Sequence, residues 1–142
     1  MKIFLDTNVV LDRISKRSGS ALAGDIFSCF NSNFNRIYIS YLSIADSAYI
    51  LRKTYSRQEL LEKIEGLLKE CCVLPMNDMQ IYDALKCKSP DFEDSLQIMC
   101  AEQKECDVIL TNNVTHFRGF TDIPVLTPAE FLSHASSTPA RL

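Results

Sequence analysis

At 142 residues with 46% hydrophobic and 23% charged content, the chain has the length and apolar fraction of one globular domain with a full core, which excludes a disordered or low-complexity protein. A net charge of −3 excludes a surface that is cationic all round, so any contact with nucleic acid has to be local. No apolar run reaches membrane-spanning length, and the chain enters Lys2-Ile3-Phe4-Leu5-Asp6 with no signal-peptide layout, so the expectation is a soluble cytoplasmic protein with no membrane contact. The six cysteines, Cys29, Cys71, Cys72, Cys87, Cys100 and Cys106, show no C-x-x-C pair and no nearby histidine, and are read as reduced thiols rather than a metal cluster.

Residues 2–6 read as a first strand ending on Asp6, and Thr7-Asn8-Val9-Val10-Leu11-Asp12-Arg13 begins a helical turn. A polar stretch over 15–20 interrupts it, after which 21–33 place Leu22, Ile26, Phe27 and Phe30 on one helical face. Residues 36–40, with Ile37, Tyr38 and Ile39, form a second strand. The pattern turns helical from 42 to 53, capped by Ser40 or Ser43. In that helix Leu42, Asp46, Tyr49 or Ile50, and Lys53 fall on one side, so a carboxylate sits among apolar neighbours. Asp46 is either an acid at the edge of the stripe, paired with Lys53 or an arginine, or a functional group with a cation or donor beside it.

Residues 56–70 make an amphipathic helix with Leu60, Leu61, Ile64, Leu67 and Leu68 inward. A third strand over 71–74 stops at Pro75, and Asn77 or Asp78 caps a helix through Cys87. Pro90 is placed in the first turn of the next helix, which runs to Lys104 with Phe92, Leu96, Met99 and Gln103 at helical spacing and with Asp91 and Asp94 on one face. Residues 107–111 are a fourth strand, 112–117 a polar turn, 123–126 a fifth strand and 128–133 the start of a last helix. Residues 136–142 lack apolar periodicity and read as a flexible tail, leaving 1–135 as the folded domain.

This alternation predicts a three-layer α/β/α sandwich around a mostly parallel sheet of about five strands. Ligands of such sheets bind beyond the carboxyl ends of the strands. Asp6 ends the first strand, Asp46 follows the second, and Asp91 and Asp94 open the helix that leads into the fourth. All four are expected at that edge, with Thr111, Asn112, Asn113 and His116 nearby. Like charges gathered there either take up protons or hold a cation. Hard oxygen donors select Mg²⁺ or Mn²⁺, and such an ion lowers the pKa of a bound water and stabilises the leaving oxygen of a phosphodiester. The expected reaction class is metal-assisted phosphodiester hydrolysis.

Four segments, Phe4-Leu5-Asp6-Thr7-Asn8-Val9, Ile44-Ala45-Asp46, Asp91-Phe92-Glu93-Asp94 and Ile109-Leu110-Thr111-Asn112-Asn113-Val114-Thr115-His116-Phe117, resemble in order and spacing the PIN-domain nucleases. The likeness is greatest to the VapC-type toxins of prokaryotic toxin–antitoxin pairs, and it extends to about Phe131. It implies a PIN-like fold and a ribonuclease dependent on one Mg²⁺ or Mn²⁺ ion, with catalytic acids at Asp6, Asp46 and Asp94. Asp6 and Asp94 would bind the ion directly, and Asp46 through water or by helping to activate the nucleophile. Asn8, Thr111 and Asn113 would support them. Asp91 is either an outer ligand or a helix N-terminal acid favoured by the macrodipole. The resemblance also implies RNA as substrate, an antitoxin partner and a homodimer.

The chain departs from the family pattern twice. Its second acid, Asp46, is one methylene shorter than the usual glutamate, and His116 stands where T-x-N-x-x-D-F has a fourth acid. His116 reads as a phosphate contact, a metal ligand or a plain turn residue. Arg13, Lys16 and Arg17, and Arg52, Lys53 and Arg57, either track a phosphate backbone or are solvated surface. Tyr41, Tyr49 and Phe117 are candidates to stack a base, with at least two of the three expected in the core. An aspartyl-nucleophile phosphatase is opposed by Asn8, where that chemistry needs a second aspartate. A non-cutting PIN-like module that binds RNA or protein is favoured by His116 and the short Asp46, and opposed by Asp6 and Asp94.

Overall fold

Runs such as Ile3-Phe4-Leu5 and Ile37-Tyr38-Ile39 are buried on both faces, which is what a parallel strand between two helical layers requires. A computed structural model describes residues 1–30 and 34–137. Its strands are β1 (Lys2–Leu5), β2 (Arg36–Ser40), β3 (Cys72–Leu74), β4 (Val108–Leu110) and β5 (Val125–Leu126). They form one sheet in the order β3-β2-β1-β4-β5, and every pairing is parallel. Ile3 lies opposite Ile37 on one side and Val108 on the other.

Among the described residues, seven helices cover the sheet: α1 (Thr7–Ile14), α2 (Ser20–Phe30), α3 (Tyr41–Leu51), α4 (Arg57–Leu68), α5 (Asp78–Lys86), α6 (Phe92–Gln103) and α7 (Pro128–Ser137). A single 3-10 turn spans Val114–His116. Alternation along the strands divides the core in two. Ile3, Leu5, Ile37, Ile39 and Leu110 pack with Val9, Leu51, Leu60 and Phe131 on one side. Phe4, Tyr38 and Ile109 pack with Ile98, Ala101 and Phe117 on the other.

The order of strands decides where a ligand can go. From β1 the chain adds β2 and then β3 in one direction, and β4 and β5 extend the sheet the other way. Crossovers therefore diverge between β1 and β4, and the crevice at the carboxyl ends of these two strands is the binding position of an open parallel sheet. The Asp6 amide donates to the Leu110 carbonyl at 3.0 Å, so Asp6 and Thr111 leave the sheet side by side.

Helix starts follow side-chain caps. Ser40 Oγ accepts from the Ser43 amide, Ser56 and Glu59 form a capping box, and Asn77 and Gln80 form another. Asp91 caps α6 by accepting from the Glu93 amide at 2.8 Å, so the helix begins at Phe92 and Pro90 lies outside its first turn. On α3 the buried residues are Ser43, Ser47 and Leu51, whereas Tyr49 is 66% exposed. The stripe expected along Leu42, Asp46 and Tyr49 is thus rotated toward two serines that apolar periodicity does not register. On α4, Leu60 and Leu67 are buried but Leu61 and Leu68 are about half exposed. Tyr41 is also exposed, so of the three candidate stacking rings Phe117 alone sits in the core.

The last helix runs to Ser137, past the expected boundary at 135. The Ser136 and Ser137 hydroxyls donate to the carbonyls of Leu132 and Ser133, which extends the helix without apolar residues. The rest of the expected tail, 138–142, and the expected end of α2 at 31–33 lie outside the described residues. Among the described residues the cysteines are free and no helix is long and apolar enough to cross a membrane.

Gly19 is sterically required. A Cβ there would lie 2.6 Å from Asp12 Cγ and closer still to Oδ2, and Asp12 is buried with no room to retreat. Gly19→Ala is expected to cost about 1–3 kcal/mol, as overpacking of a filled site does, measured as a shift in urea midpoint without a change in slope.

Candidate active site

Asp6 is 3% exposed and is held from several sides. It caps α1 through the Thr7 amide at 2.7 Å and accepts from Asn8 Nδ2 at 3.0 Å and from Thr111 Oγ1 at 2.8 Å. Burial raises its pKa from the usual 3.8 to about 6, Asp94 adds to the rise, and the Thr111, Thr7 and Gln97 hydrogen bonds oppose it. Beneath it lies a polar layer in which Gln97 Nε2 donates to Thr7 Oγ1 at 2.8 Å and to Ser43 Oγ at 2.9 Å. Gln97 sits one turn beyond Asp94 on α6, so this layer ties the helices that carry Asp6, Asp46 and Asp94 to one another. Thr7, Ser43 and Gln97 escape a search for apolar periodicity or for acids. The three-residue step from Asp94 to Gln97 was the available signal.

Asp94 and His116 meet directly, with Nδ1 and Oδ2 2.7 Å apart. Burial raises the Asp94 pKa, the hydrogen bond from His116 opposes this, and Asp91 contributes a further rise. One ligand atom from each of Asp91, Asp94 and His116 lies within 4.8 Å of the others. Asp91 therefore caps the helix and also faces the site. The turn that carries His116 is anchored by Ser89 Oγ, which donates to the His116 carbonyl at 2.7 Å.

Among the described residues, Asp46 has neither Lys53 nor an arginine as an ion-pair partner. Its neighbour is Glu93, and the contact between their carboxyl groups raises the Glu93 pKa to about 8, with burial and the charges of Asp46, Asp91 and Asp6 adding to it. Such a contact holds a proton between two acids. Asp46 Oδ2 is itself buried with no hydrogen-bond partner. Glu93 lies inside the acid motif but had no role in the sequence reading, because it points about 100° around the helix from Asp94. The direction it points is toward α3, whose position the sequence does not encode locally.

The remaining supports and cations divide clearly. Asn8 Oδ1 accepts from the Asn112 amide at 3.1 Å, and the Asn113 amide donates to Thr111 Oγ1 at 3.0 Å, so Asn113 supports the site through its backbone. Arg13 donates to both carboxylate oxygens of Glu70, at 2.7 and 2.8 Å, and lies over the Phe27 ring. That makes it a strut between α1, α2 and the end of α4. Arg52 binds the Tyr49 carbonyl and stacks on the Tyr49 ring at 3.6 Å. Arg17 Nε lies 3.4 Å from Asp12 Oδ1.

These residues suit a hard divalent cation. The donors are carboxylate oxygens, two of the acids are driven toward protonation by burial and mutual repulsion, and Asp46 Oδ2 is an acceptor with nothing to accept from. The ligand atoms that converge within 4.8 Å are those of Asp91, Asp94 and His116, and Asp6 is near enough for the Asp94 charge to raise its pKa.

A family model described as PIN domain matches residues 2–115. Ribonuclease VapC1 of Aquifex aeolicus (strain VF5) is 26% identical over 137 residues, covering 92% of each chain. Among solved structures, the fold is shared with VapBC2 from Rickettsia felis bound to a DNA fragment from its promoter, at a TM-score of 0.73 and 17% identity over 89% of this chain and 98% of the other. It is shared also with VapBC-1 from nontypeable Haemophilus influenzae, at a TM-score of 0.70 and 22% identity over 91% and 99%. The match extends without a break from the strand that delivers Asp6 to the turn beside His116, and on that extent the chain belongs to the PIN domain family.

Proposed function

We propose that this protein is a Mg²⁺- or Mn²⁺-dependent endoribonuclease of the cytoplasm and the toxin of a type II toxin–antitoxin pair. The observation that carries the catalytic part is the convergence of acids from separate segments: the charges of Asp94 and Asp6 are felt at each other's site or at Glu93, and Glu93 in turn meets Asp46. The likeness to a ribonuclease supports RNA as substrate. The solved relatives described as VapBC assemblies support an antitoxin partner. A homodimer is part of the same proposal.

When bound, the ion supplies an acidified water and charge neutralisation at the phosphate. Asp6 and Asp94 hold it, and Thr111, Asn8 and Gln97 keep Asp6 from turning away. Asp46 would lie at the edge of the ion's site, and Glu93, kept protonated at neutral pH by its contact with Asp46, would hold a proton beside it. His116 keeps the Asp94 carboxylate oriented across the crevice.

The test is cleavage of a mixed RNA substrate by the purified chain with Mn²⁺ or Mg²⁺ and with chelator. Internal cleavage that needs the ion is the expected result. RNA binding with no cleavage under any divalent ion would instead support the non-cutting module, which the His116–Asp94 contact favours. Co-expression with the product of a small neighbouring reading frame checks the toxin role, since a cognate antitoxin restores growth and co-purifies.

A further inference from the structure

Asp12 is a carboxylate 4% exposed on a chain that otherwise keeps its spare acids in solvent, and a buried charge persists only where it is well partnered. It sits one turn beyond Asn8 on α1, so both side chains share a face. That face meets the loop after β4. Asn112 Nδ2 donates to Asp12 Oδ2 at 2.8 Å, the Asn112 amide donates to Asn8 Oδ1 at 3.1 Å, and Asn8 Nδ2 donates to Asp6 Oδ2 at 3.0 Å. The other Asp12 oxygen, Oδ1, lies 3.4 Å from Arg17 Nε. Gly19 closes against the same carboxylate, which leaves it a single position.

One buried acid thus fastens an arginine to the loop that holds the candidate catalytic residues. The Arg17 contact to Asp12 is made through Nε, and the Arg17 side chain is 46% exposed. Of the four arginines considered for substrate, Arg13 is paired with Glu70 and Arg52 lies over the Tyr49 ring, while Arg57 is exposed in the first turn of α4, away from the Asn112 loop in sequence. An acid-lined crevice on a chain of net charge −3 repels RNA, so a cation fixed at its margin has a clear use.

We propose that Asp12 is a positioning residue that holds Arg17 for an RNA phosphate next to the scissile one, in register with Asn112, Asn8 and Asp6. The proposal rests on the nuclease reading for its substrate. Asp12 does not touch the reacting atoms. It sets where the phosphate chain is gripped relative to them.

The experiment measures steady-state cleavage with Mn²⁺, and in parallel the binding of a labelled single-stranded RNA in Ca²⁺ over a salt series, for wild type, Arg17→Ala, Asp12→Asn and the double variant. Arg17→Ala is expected to raise KM about fivefold, the worth of one exposed ionic contact, with kcat within about twofold. The slope of log K against log salt should fall by about 0.7, one phosphate contact on a single strand. Asp12→Asn, nearly equal in volume, should reproduce both changes because it releases Arg17, and the double variant should add nothing to either.

Additive changes in the double variant would overturn the proposal, as would an unchanged salt slope in Asp12→Asn with only a lower melting temperature. Should Asp12→Asn fail to fold, the exposed Arg17→Ala variant still decides the matter, since an unchanged slope there removes the phosphate contact itself. Absence of cleavage in wild type with the expected salt slopes would sink the nuclease reading and leave the Asp12–Arg17 grip standing. Normal cleavage with unaltered slopes would do the reverse.

Discussion

Replacing Asp94 or Asp6 by asparagine is expected to lower the proposed RNA cleavage by more than about 100-fold while leaving the fold intact. A residue that merely supports a metal ligand costs about 10- to 100-fold when removed, so groups that hold the ion themselves lie beyond that range. Both side chains arise at fixed points of the fold, Asp6 where β1 hands over to α1 and Asp94 in the first turn of α6. Asparagine keeps the volume and one acceptor oxygen, and Asp6→Asn retains an oxygen for the Thr7 amide. The control is Asp25→Asn on the exposed side of α2, which removes the same charge and is expected to leave cleavage unchanged. Loss of cleavage in the control, or full activity in both site variants, would place the chemistry elsewhere.

The same Asp6→Asn change should stabilise the metal-free protein at neutral pH. In the fold Asp6 is raised from 3.8 to about 6, so folding favours its protonated form. The associated stability is complete below pH 3.8 and is lost as pH rises through about 6, a loss of about 3 kcal/mol at 1.36 kcal/mol per pKa unit. Asparagine has no such loss but puts an amide nitrogen where Oδ2 accepts from both Asn8 Nδ2 and Thr111 Oγ1, so the net gain at pH 7.5 should be about 1 kcal/mol. Urea unfolding of both proteins in chelator at pH 4.5 and 7.5 tests this. The gap between them should open at the higher pH and shrink or reverse at the lower one. Adding Mn²⁺ should raise the stability of wild type and leave Asp6→Asn behind, since an ion bound only by the folded state stabilises it by mass action. A gap that is constant with pH would show that Asp6 does not carry the strain. A variant that is steadier and yet inactive is the mark of a group kept for function at the expense of stability.

Local chemistry made most of the architecture readable in advance. Apolar runs with polar ends located all five strands, and the pairs Ser40 or Ser43 and Asn77 or Asp78 located two helix starts, with Ser40 and Asn77 the caps, because capping needs only residues within one turn. The acids at 6, 46 and 94 stood out for a related reason, since each lies at the carboxyl-edge end of an element whose direction follows from parallel pairing. Asp91 was legible too, although as a cap that faces the site rather than as part of the first helical turn. Where hydrophobic pattern was the guide, polar residues turned inward were invisible. Ser43 and Gln97 lie on the buried sides of their helices, and their contacts there are hydrogen bonds that no apolar periodicity reports.

By itself, then, the amino-acid sequence determined the succession of strands and helices, the parallel sense of the sheet and the set of carboxylates available to one edge, because capping, alternation and chain direction act over a few residues. The tertiary structure alone decided that β1 and β4 adjoin to open the crevice, that Asp46 meets Glu93, and that Arg13 pairs with Glu70 while Arg17 pairs with Asp12. Each of these depends on which helix face meets which neighbour across dozens of residues of intervening chain, and an ionic partner is chosen by proximity in space, which no local pattern of side chains encodes.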